Sequence, residues 1–542
     1  MYLLLSLLWL AWEIKYILFW LFLWQLKDYH IGRFVDHFTT HKGKKLIFNP
    51  VQALKIILFA LFLTIGGFFV YLFSILFVAY LVGFILFIRA IIKKSVKKPV
   101  ATLKTVFLTV ISLGVVILFL LWTLKQNDYS QPVLFLEFDI LTPIIISAIV
   151  LFFQPFFVAI RGNTLRKAKD KLKKIKSVSG LKVIAITGSY GKTSTKEFLS
   201  TILSKKYKVL KTKEHQNSEI GIAKCILEDL KPSHQIIIAE VGAYNKGKVK
   251  EVCSVLKPDM GIVTGVNEQH LALFGSLDNL LSAEGGRELA DALSDHGILA
   301  VNGDNKYCLS LYKDFSGKIP RGAQAKVYSL SNKSINSDIW AESIDIHENS
   351  ISFISTDKTG ELMNFDVKVL GKQNVQNLLG AILVAKELGM TFGQIADACK
   401  DILQKQAGMI LKKNKHGISI VDSSYSSNPD GVFADLDYFS IFKGKRAIVI
   451  PCLIELGDKS VEIHEKIGRK IGETCGLAII TSKDKFKEIK KGAMSVGMKE
   501  KDILLCDSAQ DIYSAITLFC KSGDAVLLEG RVPAELIKLL TV

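Results

Sequence analysis

The sequence predicts an α-helical membrane bundle followed by two α/β units, and three observations carry that prediction. Residues 2–26, 56–88, 105–124 and 133–160 are long apolar stretches, and 56–88 carries no charge at all. At Leu181 the composition changes to short Val/Ile runs alternating with helical patterns, the rhythm of a parallel-sheet α/β domain. Directly after that change, Val183 to Thr195 reads V-I-A-I-T-G-S-Y-G-K-T-S-T: a strand, a glycine-punctuated turn and the opening of a helix. These features divide the chain into a transmembrane helical region (1–160), a basic juxtamembrane linker (161–180), a phosphate-loop domain (181–407) and a Rossmann-like C-terminal domain (408–542).

The charge follows the same division. Residues 1–180 hold 22 Lys/Arg against 7 Asp/Glu, which leaves 47 against 44 for the remainder, so nearly all of the +18 excess flanks apolar segments. That distribution fits the positive-inside rule and excludes a nucleic-acid footprint. An upright crossing takes about 20 residues, so 56–88 is too long for one span and barely enough for two. A hairpin near Gly66-Gly67 competes with one long tilted helix. Lys42, Lys44, Lys45 and Lys55 before it, with Arg89, Lys93, Lys94, Lys97 and Lys98 after it, favour the hairpin. Four or five spans are expected in all, with the short loop Gln126 to Gln131 outside.

Within the apolar stretches, Glu13 and Lys15 are expected to pair with each other or to mark an interfacial bend. Glu137 and Asp139 are expected at headgroup level, where charge costs less. The basic run Leu165 to Lys176 places everything after it in the cytoplasm and suits contact with anionic lipids of the inner leaflet. All eight cysteines lie at or beyond Cys225 without a C-x-x-C spacing, which predicts reduced, buried thiols.

The turn at 188–191 has the chemistry of a phosphate cradle. Gly188 and Gly191 let backbone N–H groups approach phosphate oxygens, Lys192 supplies a point charge, and the Thr193 hydroxyl can ligate Mg2+. It departs from the strict Walker pattern at Ile186, where a glycine would stand. Farther on, strands are expected at 235–239, 260–264 and 297–301, a few antiparallel strands over 325–370, a helix over 374–388, and strands at 418–421, 446–450, 477–480 and 525–528.

Short motifs follow the loop in a fixed order: H-Q-N-S-E-I-G at 215–221, A-E-V-G-A at 239–243, K-P-D at 257–259 and H-L-A-L-F-G-S at 270–276. Then come G-K-Q-N-V-Q-N at 371–377, D-S-S-Y-S-S-N-P at 422–429, I-E-L-G at 454–457 with His464, and E-G-R at 529–531. In order and spacing, residues 181–542 resemble the Mur ligases of peptidoglycan synthesis. The resemblance implies a central ATP-binding domain, a C-terminal ligase domain, ATP and Mg2+ as cofactors, and phosphorylation of a carboxylate that an incoming amine then attacks. Its substrates would be a cell-envelope peptide precursor and an amino acid or dipeptide.

Carried over by motif, the resemblance assigns Gly188, Ser189, Gly191, Lys192, Thr193 and Ser194 to the phosphates, and Asn217, Asn374, Asn377 and Asp422 to the rest of the nucleotide. Thr193 and Glu240 would hold one Mg2+ and His270 the other; Tyr425, Asn428 and Arg531 would face substrate. Where these ligases carry a carbamylated lysine, this chain has Glu284, expected either to replace the carbamate as part of a catalytic set with Lys192 and His270, or to be an exposed helical Glu. Ala407-Gly408-Met409 lacks the usual arginine, and D-S-S-Y-S-S-N-P lacks one Asp and one Asn. The membrane bundle stands where the family places its nucleotide-substrate domain, which implies a lipid-linked or leaflet-presented precursor. A polyglutamate-type ligase and a non-catalytic ligase-like subunit are the alternatives. An ATP-driven transporter fits least, because Leu281 to Gly286 interrupts the signature it would need.

Overall fold

The computed structural model describes residues 2–541 apart from 65–68, 94, 127–129, 215, 244, 268–269, 317–321, 332–335 and 426. It divides into two units, Met1–Gly162 and Asn163–Val542.

The first unit is a helical bundle of α1 (Tyr2–Leu26), α2 (Pro50–Thr64), α3 (Phe69–Ile92), α4 (Leu103–Thr123), α5 (Ser130–Phe152) and the opening of α6 (Gln154–Ser179), with two short helices between α1 and α2. Among the described residues, five helical stretches are long and apolar enough to cross a membrane. Aromatic packing fills the interior: Trp9 stacks on Phe135 at 4.5 Å between ring centroids and Trp24 on Phe34 at 3.9 Å. Val70, Leu118 and Ile144 face outward, each about two-thirds exposed or more, while Glu13 and Asp139 are fully buried. That inverts the order of a water-soluble domain and suits an apolar surrounding.

Several expectations for this region change. The charge-free run forms parts of two helices, α2 and α3; the turn expected at Gly66-Gly67 lies outside the described residues, as does half of the loop 126–131. Asp139 is not at headgroup level: it sits inside the bundle with Lys55 at 2.8 Å, and Lys55 itself is buried instead of flanking the span. An unpaired carboxylate there would be costly, and the lysine across the bundle offsets it. Glu137 is exposed. Glu13 and Lys15 mark no bend, because α1 is continuous; Glu13 accepts from the Thr142 hydroxyl at 2.8 Å, and Lys15 lies over the Trp12 ring.

The second unit opens with the later turns of α6. Leu165, Ala168, Leu172 and Ile175, spaced three and four apart, join the buried core, and Lys167, Lys169, Lys173 and Lys174 occupy the opposite face. The basic run is therefore an amphipathic helix; Lys176 also ties it to Asp259 at 2.9 Å.

A nine-stranded sheet follows in the order β2-β3-β1-β4-β5-β6-β7-β8-β9. Its centre is β1 (Lys182–Thr187), parallel to β3 (Ile236–Glu240) and β4 (Met260–Val263), with β2 (Val209–Lys211) beyond β3. Five of the six residues of β1 are buried, the pattern of a strand covered on both faces. Next come β5 (Ile298–Asn302) and β6 (Gln324–Ser329), which remain parallel. Only β7 (Ile339–Ile346), β8 (Ile351–Asp357) and β9 (Leu362–Val367) make antiparallel pairs with one another, so the expected antiparallel segment starts later than residue 325. Burial alternates along β8, as it does in a strand with one covered face.

A six-stranded sheet, ordered β10-β11-β15-β12-β13-β14, forms the C-terminal part. It contains β10 (Ile410–Lys413), β11 (Ser419–Ser423), β12 (Arg446–Ile450), β13 (Leu477–Ile480), β14 (Ile503–Leu505) and β15 (Ala525–Glu529), parallel except for β10 at the edge. The helices that matter for the site are α7 (Lys192–Leu203), α8 (Leu277–Ala283), α9 (Gln373–Glu387) and α10 (Pro429–Phe439).

A buried carboxyl pair links the two sheets. Asp435 on α10 accepts from Gln373 of α9 at 2.9 Å and from the Ser423 hydroxyl, and Glu529 at the end of β15 faces it. Burial pushes Asp435 up to about 6; burial, then the charge of Asp435, pushes Glu529 well above the carboxylate range. Both values lie above those of the unfolded chain, so folding takes up protons. The stability this contributes is complete below about pH 4 and is lost as pH rises through about 6 and beyond. We expect calorimetry of the full chain to show the ligase unit about 2 kcal/mol less stable at about pH 8 than at about pH 5, and Glu529→Gln to remove most of that slope.

Candidate active site

The phosphate loop lies between β1 and α7, at the centre of the larger sheet. Gly188 has φ +140°, and a Cβ there would stand 2.3 Å from Thr264 Oγ1 and 2.9 Å from the Gly265 carbonyl. Gly191 has φ +77°, with Asn377 Oδ1 only 2.4 Å from its would-be Cβ. Both positions need glycine for conformation and for space. Gly188→Ala should therefore weaken binding of a non-hydrolysable ATP analogue about tenfold or more by calorimetry, the strain costing about 1–3 kcal/mol.

Past Gly191, the first backbone N–H groups of α7 have no helical partner and point toward the loop, a ready place for phosphate oxygens. Lys192 folds back so that Nζ donates to the carbonyls of Gly188 and Ser189. Thr193 donates to Glu240 Oε2 at 3.1 Å, Asn217 donates to Glu240 Oε1 at 3.3 Å, and Lys196 Nζ lies 3.2 Å from Glu240 Oε2. Glu240 is buried at the end of β3. A hydroxyl and one carboxylate beside a phosphate loop fit Mg2+, which takes few protein ligands and completes its shell with phosphates and water. Among the described residues no three His, Cys, Asp or Glu side chains form a metal cage.

A second cluster adjoins the loop. Glu284 follows α8, is 2 % exposed, accepts from Ser189 Oγ at 2.8 Å, and has Oε1 2.9 Å from His270 Nδ1. Burial disfavours charge on both groups, yet each overrides it in the other: the Glu284 carboxylate raises His270, and His270, then Lys192, lowers Glu284. The carboxylate form of Glu284 is thus favoured beside the phosphate-loop lysine. Glu284 is not the exposed helical residue that was one alternative, and the Leu281 to Gly286 stretch closes α8 and delivers it inward.

The remaining candidates are placed variously. Asn374 and Asn377 are buried on α9; Asn377 Nδ2 donates to Asn374 Oδ1 at 3.1 Å, and Asn377 Oδ1 borders Gly191. Ser194 is half-buried in the first turn of α7. Asp422 accepts from the backbone and hydroxyl of Ser424, within its own turn. Tyr425 is 43 % exposed, its phenol raised first by burial and then by Glu214, Glu240 and Glu197. Asn428 caps α10 and also accepts from Asn267 at 3.1 Å. Arg531 is exposed just past β15, and the described residues show no hydrogen bond or ion pair from it to the loop.

Three contributors were not foreseen. Asn267 receives its share through Ser189, whose Oγ accepts the Asn267 backbone N–H at 3.2 Å, and its carboxamide donates to Asn428 and Asp430. Lys196 is fully buried against Glu240; its position one turn after Lys192 was the available signal. Glu455 brings a carboxylate to 4.0 Å from His270 Nε2 with φ +68°, a conformation uncommon for a residue with a side chain. It lies in the I-E-L-G stretch, whereas the accompanying His464 is internal, accepting from the Leu453 N–H at 2.9 Å and held to the Ser460 carbonyl.

A phosphate loop, a nearby carboxylate for a metal, and a buried His–Glu pair define an ATP-dependent ligase that forms carbon–nitrogen bonds. The Mur ligase middle domain matches residues 186–385, and the Mur ligase, glutamate ligase domain matches 409–532. The UDP-N-acetylmuramoyl-tripeptide--D-alanyl-D-alanine ligase of Escherichia coli is 27% identical over 316 residues, 58% of this chain and 67% of that protein. The ligase of the same name from Bacillus subtilis is 26% identical over 377 residues, 69% and 78% of the two chains. The crystal structure of MurF ligase from Thermotoga maritima in complex with ADP superposes with a TM-score of 0.59 at 22% identity, covering 70% of this chain and 83% of that one. The chain belongs to the Mur ligase family. The architecture expected after Leu181 is thereby shown, together with the class of reaction.

Proposed function

We propose that the protein is a membrane-anchored ligase that uses ATP to join D-alanyl-D-alanine, or a related amino acid or dipeptide, to the carboxylate of a cell-wall peptide precursor. The observation that carries this reading is the junction of Lys192, Ser189, Glu284 and His270 in one connected cluster. The names of the curated relatives supply the substrate pair. Five apolar helical stretches support the anchor, and the lysine face of α6 supports contact with anionic headgroups of the inner leaflet.

In this reading the phosphate loop and Lys192 hold the phosphates, and Thr193 with Glu240 would hold one Mg2+ ion. His270 and Glu284 would hold the second, Glu284 standing in place of a carbamylated lysine. Bound there, Mg2+ would neutralise charge as a phosphoryl group nears the carboxylate. The precursor carboxylate takes the γ-phosphoryl group as the bond to ADP breaks, giving an acyl phosphate and ADP. The amine then attacks the acyl carbonyl, forms the amide as phosphate leaves, and gives up a proton. Asn217, Asn374, Asn377 and Asp422 belong to the nucleotide side, and Tyr425, Asn428 and Arg531 to the substrate side. Because the matched domains begin at residue 186, the bundle lies outside them, and we take the precursor to be lipid-linked.

Mass spectrometry of products from ATP, lipid-linked and soluble UDP-linked precursors, and candidate amines tests the reading, with Lys192→Ala as the blank. Elongation of the lipid-linked precursor by one dipeptide is the expected result. Equal elongation of the soluble precursor would remove the lipid-linked part, and no amide with any amine would remove the whole.

A further inference from the structure

The helical bundle contains a charged cluster that ATP-dependent ligation does not use. Near the midpoints of their helices, Glu13 of α1, Tyr80 of α3 and Asp139 of α5 converge, joined by Lys55 of α2. Asp139 is fully supplied with donors: Lys55 Nζ at 2.8 Å, Trp12 Nε1 at 3.1 Å and the Tyr80 hydroxyl at 3.3 Å. Lys55 is further enclosed by the Trp12 and Tyr16 rings, 4.9 and 4.4 Å from their centroids.

Glu13 is not so supplied. Its Oε2 accepts from Thr142, but Oε1 is buried without a hydrogen-bond partner, and the carboxyl lies within hydrogen-bonding reach of Asp139. With both carboxylates ionised, the cluster holds two negative charges and one positive charge in an apolar interior. A single proton on Glu13 removes the excess charge and converts the orphaned acceptor into a donor toward Asp139. Among the described residues no other group takes that role: Lys15 lies over Trp12, Glu137 is exposed, and the charged residue of α4 is Lys104, at its start.

We propose that Glu13, Asp139 and Lys55 form a proton-binding site inside the bundle, in which Glu13 holds the proton and donates it in a hydrogen bond to Asp139. The inference rests on the membrane-anchored reading of the bundle. Binding adds one proton to the Glu13 carboxylate and breaks no bond, and the cluster passes from one net negative charge to none. Ionisable residues at mid-depth of an apolar bundle are costly to keep, and a site that exchanges a proton gives them a use.

Infrared spectroscopy of the full chain in lipid nanodiscs tests this. At neutral pH the wild type should show, besides the band of the buried Glu529 carboxyl, a second protonated carboxylic C=O band that is absent from Glu13→Gln and retained in Glu137→Gln and in Glu529→Gln. Absence of this second band from the wild type, or its persistence in Glu13→Gln, overturns the proposal. Should Glu13→Gln not fold, carbon-13 labelling of glutamate in Glu529→Gln, which removes the other raised glutamate, reads the same point: one protonated Glu signal supports the site and carboxylate signals alone overturn it. Alkaline carbonate extraction separates the two levels, since release of the chain from membranes overturns the anchored reading whatever the infrared spectrum shows.

Discussion

Lys192→Ala is expected to lower kcat for ATP-dependent amide formation by about 10²–10³-fold while leaving thermal stability nearly unchanged. The two halves follow from the same contacts. Lys192 is only half-buried and donates to carbonyls of its own loop, so its removal leaves no buried charge unpaired. What disappears is a fixed positive charge where a multiply charged phosphoryl group must approach a carboxylate. Release of ADP that requires both an amine and a carboxylate measures the first half, and calorimetry the second. A variant with unimpaired turnover would show that the loop holds nucleotide without catalysing transfer.

Glu284→Gln should be as damaging by another route. The amide keeps an oxygen for Ser189 Oγ but loses the negative charge that faces His270 and Lys192. We expect a fall in kcat of about 10²-fold or more, accompanied by a loss of about 1–3 kcal/mol in stability as a buried charge-assisted contact becomes a neutral one. The wild-type enzyme should also be indifferent to added bicarbonate, because a glutamate needs no carbamylation. An unaffected Glu284→Gln enzyme, or a bicarbonate-stimulated wild type, would remove Glu284 from the site.

What could be read from the sequence was whatever local pattern controls. The β1 strand, the glycine turn and the start of α7 follow from contiguous residues, and the structure gives them the expected form. Glu284 could be reached by counting from His270, but its contact with Ser189, 95 positions earlier in the chain, could not. Asp139 was misplaced for the same reason: Lys55 lies 84 positions away, and only packing shows that the two meet. Glu455 was passed over because its usefulness depends on a left-handed backbone conformation, which an isolated carboxylate in a loop does not announce.

The carboxamide of Asn267 has a thermodynamic consequence. Its residue touches the phosphate loop through Ser189 and the first turn of α10 through Asn428 and Asp430. A ligand that draws α10 away from the loop must break the latter bonds, and a ligand that reorders Ser189 alters the former. Occupancy on either side is therefore felt on the other, and by the same factor in both directions. Nucleotide affinity measured with and without the amine substrate would give that factor, and Asn267→Ala should bring it toward unity.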